Sequence, residues 1–180
     1  RGDFLVGDNY KPVFDYNKKV SEFKIYHGDF VNSDKGTGIV HIAPAFGEED
    51  FNLCKNNNII NSKFTNLFLP VDINGNFTRE VSPYAGRCIF DCNADICAEL
   101  KALNLLFKKD TINHTYPYCW RSDTKLMYRA VDSWFINVER IKDNLIANNK
   151  KVNWIPHNIG HSRFHNWLEG ARDWNISRKR

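Results

Sequence analysis

Gly36-Thr37-Gly38-Ile39-Val40-His41-Ile42-Ala43-Pro44-Ala45-Phe46-Gly47-Glu48-Glu49-Asp50-Phe51 is the stretch on which the reading of this 180-residue chain turns. Its glycines let the backbone turn and approach a neighbour closely, because they carry no Cβ. Ile39 and Val40 then read as a buried strand that delivers His41 to its end, and Pro44 stops that strand by removing a backbone donor. Gly47 opens a helix whose first turn carries Glu48, Glu49 and Asp50, where exposed backbone N–H groups favour acids. An imidazole and a carboxylate thus converge at a strand-to-helix junction, a place where a small polar ligand can be held. The bland alternative is a hydrogen-bonded structural histidine and a carboxylate that only complements the helix end.

Working outward, residues 1–112 are dominated by short β-type runs at 22–26, 37–42 and 66–71. The Asn74-Gly75 pair set between Val71-Asp72-Ile73 and Asn76-Phe77-Thr78 is the clearest tight-turn signal. A second helix is expected from Ala94 to Leu106, with Ile96, Leu100, Leu103 and Phe107 on one face. Residues 113–180 change character. Aromatic strands are expected at 125–130 and 133–136, then a helix with Val138, Ile141, Leu145 and Ile146, and a final amphipathic stretch at 162–168. The expected fold class is α+β, mixed but β-rich: a closed barrel-like domain over 1–112 with peripheral helices, plus a C-terminal return segment over 113–180.

Composition narrows the function classes. A hydrophobic fraction of 42% with 13 Phe, 7 Tyr and 5 Trp is enough to build a core and argues against overall disorder. No apolar run reaches the roughly 20 residues of a membrane span, so no membrane partner is expected. Cys54, Cys88, Cys92, Cys97 and Cys119 are odd in number and lack CxxC pairing, which reads as free thiols in a reducing compartment. The net charge of +4 is too small to identify a nucleic-acid binder. Between residues 148 and 180, however, Lys150, Lys151, Arg163, Arg172, Arg178, Lys179 and Arg180 outnumber the acids, with Trp154, Trp167 and Trp174 interleaved. Such a segment suits either phosphate contact or a solvated helix face.

The central string closely resembles the signature of the editing insertion shared by the isoleucyl-, valyl- and leucyl-tRNA synthetases, members of the class I aminoacyl-tRNA synthetases. His41 with Ala43-Pro44 and Phe46-Gly47 is similar to the isoleucyl branch, of the eukaryotic cytoplasmic type. Further blocks agree in order and spacing. They are Lys11-Pro12-Val13-Phe14-Asp15-Tyr16, Tyr116-Pro117-Tyr118-Cys119-Trp120-Arg121-Ser122-Asp123, Ser133-Trp134-Phe135, and Asn166-Trp167-Leu168 with Ala171-Arg172-Asp173-Trp174-Asn175-Ile176-Ser177-Arg178. The family's threonine-rich strand and its HIGH and KMSKS signatures do not occur here. The chain is therefore expected to be a piece of a longer enzyme that does not activate amino acids by itself.

The resemblance implies hydrolysis of the ester of mischarged valyl-tRNA(Ile) in a cytoplasmic enzyme, with the tRNA(Ile) acceptor end and the valine or isoleucine moiety as partners. It implies Asp50 and His41 as the reacting-site pair: Asp50 on the α-amino group, and His41 shaping the pocket beside the ester. Gly36, Thr37, Gly38, Ala43, Pro44 and Phe46 are the implied substrate-binding wall. No cofactor is implied for editing, ATP and Mg belonging to the full-length enzyme outside this stretch, and no metal ligand is assigned. Ser122 stands where some relatives place the second cysteine of a zinc pair with Cys119. The alternative is a binding module that docks the acceptor end but is inactive without the threonine-rich strand. His157-Asn158-Ile159-Gly160-His161 echoes the HIGH signature only by chance.

Overall fold

The computed structural model describes residues 2–17, 23–32, 34 and 37–177. The chain divides into two compact units, Arg1–Ala130 and Val131–Arg180.

In the first unit two helices are fixed by local chemistry. Helix α1 spans Glu48–Asn56, capped by an extended Gly47 and opened by three acids. Helix α2 spans Asn93–Ala102. Both end the same way: Asn58 and Asn104 take positive φ of 56° and 57°, the left-handed conformation that asparagine tolerates better than most residues. Ile59 N–H then donates back to Cys54 O at 2.8 Å, and Leu105 N–H to Leu100 O at 2.9 Å. Asn104 thereby stops α2 before the expected Leu106. Leu103 is left 52% and Phe107 101% exposed, so neither belongs to the buried face that their spacing suggests.

The Asn74-Gly75 turn forms as its residues dictate. Asp72 Oδ1 accepts from Asn74 N–H and Asn76 N–H, both at 2.9 Å, while Gly75 takes φ +81° and Val71 bridges Phe77. The small core of this unit is Val81, Tyr84 and Cys92, with Tyr16, Phe77 and Ile96 packed against it. Arg129 Nε reaches Val71 O at 3.0 Å, and Ala130 N–H donates to Ala45 O at 2.7 Å, tying the end of the unit to its middle.

A closed, β-rich barrel does not form. Among the described residues the one regular sheet is a two-stranded antiparallel pair in the second unit, and the first unit holds only isolated bridges such as Asn9↔Lys24, Asn76↔Cys88 and Tyr118↔Lys125. Closure requires each strand to be paired along both edges. Here the apolar runs are broken by prolines and turn residues before a ladder extends. The run at 37–42 shows why most clearly: Thr37 Oγ1 donates to Ile39 O and accepts from Ile39 N–H, each at 3.3 Å. This local pairing replaces a strand partner. Ile39 and Val40 are 62% and 51% exposed instead of buried. The strand expected at 125–130 likewise reduces to the single bridge at Lys125.

In the second unit β1, Phe135–Ile136, pairs with β2, Trp174–Asn175. Trp134 N–H donates to Ser177 Oγ at 2.6 Å, and Glu139 N–H to Asp173 Oδ1 at 3.0 Å. These bonds fix the turn that leads into α3, Lys142–Asn149, followed by α4, Asn158–His161, and α5, Arg163–Glu169. Buried Asn149 organises them: its Nδ2 donates to Gly160 O at 2.7 Å and its Oδ1 accepts from Trp154 Nε1 at 2.9 Å. A Cβ on Gly160 would overlap the Trp154 ring, so only glycine allows that approach. All five cysteines are free, and no helix of the described residues is long and apolar enough to cross a membrane.

Candidate functional site

The first unit encloses a cleft of about 770 Å³, a volume in the range of small-molecule sites. One wall is the loop that contains Gly38, His41, Ala43, Pro44 and Phe46, and Leu53 and Cys54 of α1 contribute from beneath. The facing wall comes from the N-terminal stretch, with Tyr10, Phe14 and Phe23 prominent. Backbone pairing holds that stretch in place: Tyr10 N–H donates to Phe23 O at 2.8 Å and Ile25 N–H to Asp8 O at 3.0 Å. The Tyr10 and Phe23 rings meet edge to face at 5.7 Å.

The loop is shaped by one carboxylate. Ala43 N–H donates to Asp50 Oδ2 at 2.9 Å across the Pro44–Phe46 turn, and Phe46 N–H donates to Ala43 O at 2.9 Å. Asp50 Oδ2 lies only 2.9 Å from where a Cβ on Gly47 would sit, so glycine at the helix start is what lets the carboxylate fold back. Ala45, inside the same turn, is 2% exposed and anchors it to Ala130. A charge-assisted bond of this kind is shorter and stronger than a neutral one.

The structure thus separates the residues that sequence placed together. Gly38, with φ +73°, and His41, Ala43, Pro44 and Phe46 line the cleft, with the His41 side chain exposed. Asp50 is half-buried behind the loop, where it braces Ala43 and is not itself part of the lining. No hydrogen bond or ion pair links it to His41 among the described residues. Thr37 is exposed at the margin, and Gly36 lies outside the described residues.

Several wall residues escaped the sequence reading, Tyr10 and Cys54 among them. Burial and then the Asp50 charge push the Cys54 thiol up to about 11, and burial and then Cys54 raise Tyr10. Both groups are therefore neutral near pH 7. The available signal was weak: Cys54 follows Asp50 by one helical turn, but nothing local to Tyr10 marks it. Among the described residues no three His, Cys, Asp or Glu side chains converge.

Residues 9–180 match the family of tRNA synthetases class I (I, L, M and V). The chain is 50% identical over its whole length to the isoleucine–tRNA ligase of Bdellovibrio bacteriovorus, covering 17% of that protein. Over 99% of its length it is 48% identical to the cytoplasmic isoleucine–tRNA ligase of Arabidopsis thaliana and 44% identical to the isoleucine–tRNA ligase of Chlamydia caviae, covering 15% and 17% of them. The chain therefore spans about a sixth of the length of the curated relatives it matches.

Proposed function

The chain belongs to the class I tRNA synthetases (I, L, M and V), and on that premise we propose that it is the proofreading segment of an isoleucine–tRNA ligase working in the cytoplasm. Its substrate is valyl-tRNA(Ile), and its reaction is hydrolysis of the ester between valine and the terminal ribose. The supporting observation is that the signature loop, with Gly38, His41 and Phe46, forms one wall of the 770 Å³ cleft. ATP and Mg serve amino-acid activation elsewhere in the full-length enzyme.

The need for a second site is physical. A pocket that selects by one methylene gains only about 1–3 kcal/mol, isoleucine against valine being the standing example of that limit. The mistake must be removed after it is made. Water adds through its oxygen to the acyl carbon, the bond to the ribose oxygen breaks, and that oxygen takes back a proton. The products are valine and tRNA(Ile) with its hydroxyl restored.

In this reading the apolar walls take the valyl side chain, and His41 closes the far side against a longer one. Asp50 spends Oδ2 on Ala43 N–H, which holds the Ala43–Phe46 wall in shape from behind the loop; binding of the α-amino group by its second oxygen requires that loop to move aside. His41→Ala in the full-length enzyme tests the sieve. Isoleucyl-tRNA(Ile) should become a substrate for deacylation, because an overpacking penalty of about 1–3 kcal/mol is relieved. An unchanged ratio of valyl to isoleucyl deacylation removes His41 from the sieve.

A further inference from the structure

The second unit carries an imidazole pair that the proofreading chemistry does not use. His157 immediately precedes α4 and His161 ends it, so the two stand four residues apart on one helical face. Their Nε2 atoms are 3.3 Å apart, and the rings are 4.5 Å between centroids and tilted by 54°. Both residues are exposed.

We infer that His157 and His161 form a two-point chelating site for a divalent transition-metal ion of the nickel, copper and zinc class. The separation is the argument. Two nitrogens bound at about 2.0–2.1 Å to one ion at a tetrahedral angle lie about 3.3 Å apart. The hydrogen bond that now joins the rings already holds the nitrogens at that spacing, and a swing of both rings turns their lone pairs toward a common point. The metal takes the place of the shared proton.

The turn is held by packing that does not involve the rings. Gly160 sits under Trp154 with its carbonyl bonded to Asn149, and Ser162 Oγ donates to Asn158 O at 2.6 Å. Little backbone ordering is therefore left to pay for on binding. The next histidine, His165, is engaged with Glu169 at 3.3 Å. Among the described residues no third His, Cys, Asp or Glu joins the pair. The remaining positions on the ion fall to water, which makes this an open surface site and not a closed structural one.

The experiment uses the full-length protein stripped with a chelator and titrated with Ni²⁺, then Cu²⁺ and Mn²⁺, by calorimetry. Wild type should bind one Ni²⁺ that His157→Ala and His161→Ala each lose or bind at least about tenfold more weakly, while His165→Ala leaves it unchanged. Affinity should rise from Mn²⁺ to Ni²⁺ to Cu²⁺. His161→Cys keeps a ligand at the position, so it should retain binding and favour Zn²⁺. Equal Ni²⁺ binding by wild type and both alanine variants overturns the inference, as does an absence of Ni²⁺ binding by wild type.

Discussion

Replacing Asp50 by Asn and by Ala separates a carboxylate that binds substrate from one that only braces a loop. Asp50 Oδ2 accepts Ala43 N–H at 2.9 Å at the third position of α1. Alanine removes this bond and leaves a part-buried N–H without its acceptor, at about 1–3 kcal/mol, and deletes a helix-end charge worth about 0.3–1 kcal/mol. Asparagine keeps an acceptor oxygen for Ala43 and loses only the charge, so its stability loss should stay near 1 kcal/mol or below. The two variants differ little toward a cationic α-amino group, since neither can pair with it. A contact to a charged group is worth about 1.5–3 kcal/mol, or about 10- to 150-fold in rate. Asp50→Asn in the full-length enzyme should therefore melt close to wild type yet deacylate valyl-tRNA(Ile) at least about tenfold more slowly, with isoleucine activation unchanged. Wild-type deacylation by Asp50→Asn, alongside a slow and destabilised Asp50→Ala, would refute substrate binding and leave the brace as the whole role of Asp50.

Alkylation at pH 8 followed by peptide mass spectrometry should modify Cys119 first, because the Ser122 hydrogen bond lowers its pKa. Cys54, buried and raised to about 11, should react at least about 100-fold more slowly, a thiolate being the reactive form. Asn149→Ala strands the buried Gly160 carbonyl and the part-buried Trp154 indole N–H; at about 1–3 kcal/mol for the first and less for the second, the loss should be about 2 kcal/mol, read as earlier unfolding of α3 to α5 by hydrogen exchange. A loss well under 1 kcal/mol would refute that organising role. The Tyr84 hydroxyl donates to Glu99 at 2.5 Å, and this bond, then burial, pushes its pKa up to about 12. Because the folded value lies above the unfolded one, its contribution is complete below about pH 10 and disappears as pH rises toward 12. Denaturant titrations across that window should show a slope that Tyr84→Phe removes.

By itself the sequence determined the family and the local elements whose causes lie within a few residues. The acids after Gly47 start α1, Asp72 with Asn74-Gly75 makes the turn, and the 36–51 string carries the resemblance that pointed to the family. The string it singled out lies along the cleft, with Gly38, His41, Ala43, Pro44 and Phe46 sharing one wall. Only the tertiary structure decided the rest. Alternating apolar runs read as a barrel because local pattern cannot say whether a strand finds partners on both edges; Thr37 bonding to Ile39 and the exposure of Val40 settled that. Spacing put Asp50 beside His41 in the chain, but a side chain's direction depends on what it meets, and Asp50 met the Ala43 amide. Tyr10 reached the same cleft through pairing with Phe23, a contact between chain segments that no local pattern encodes.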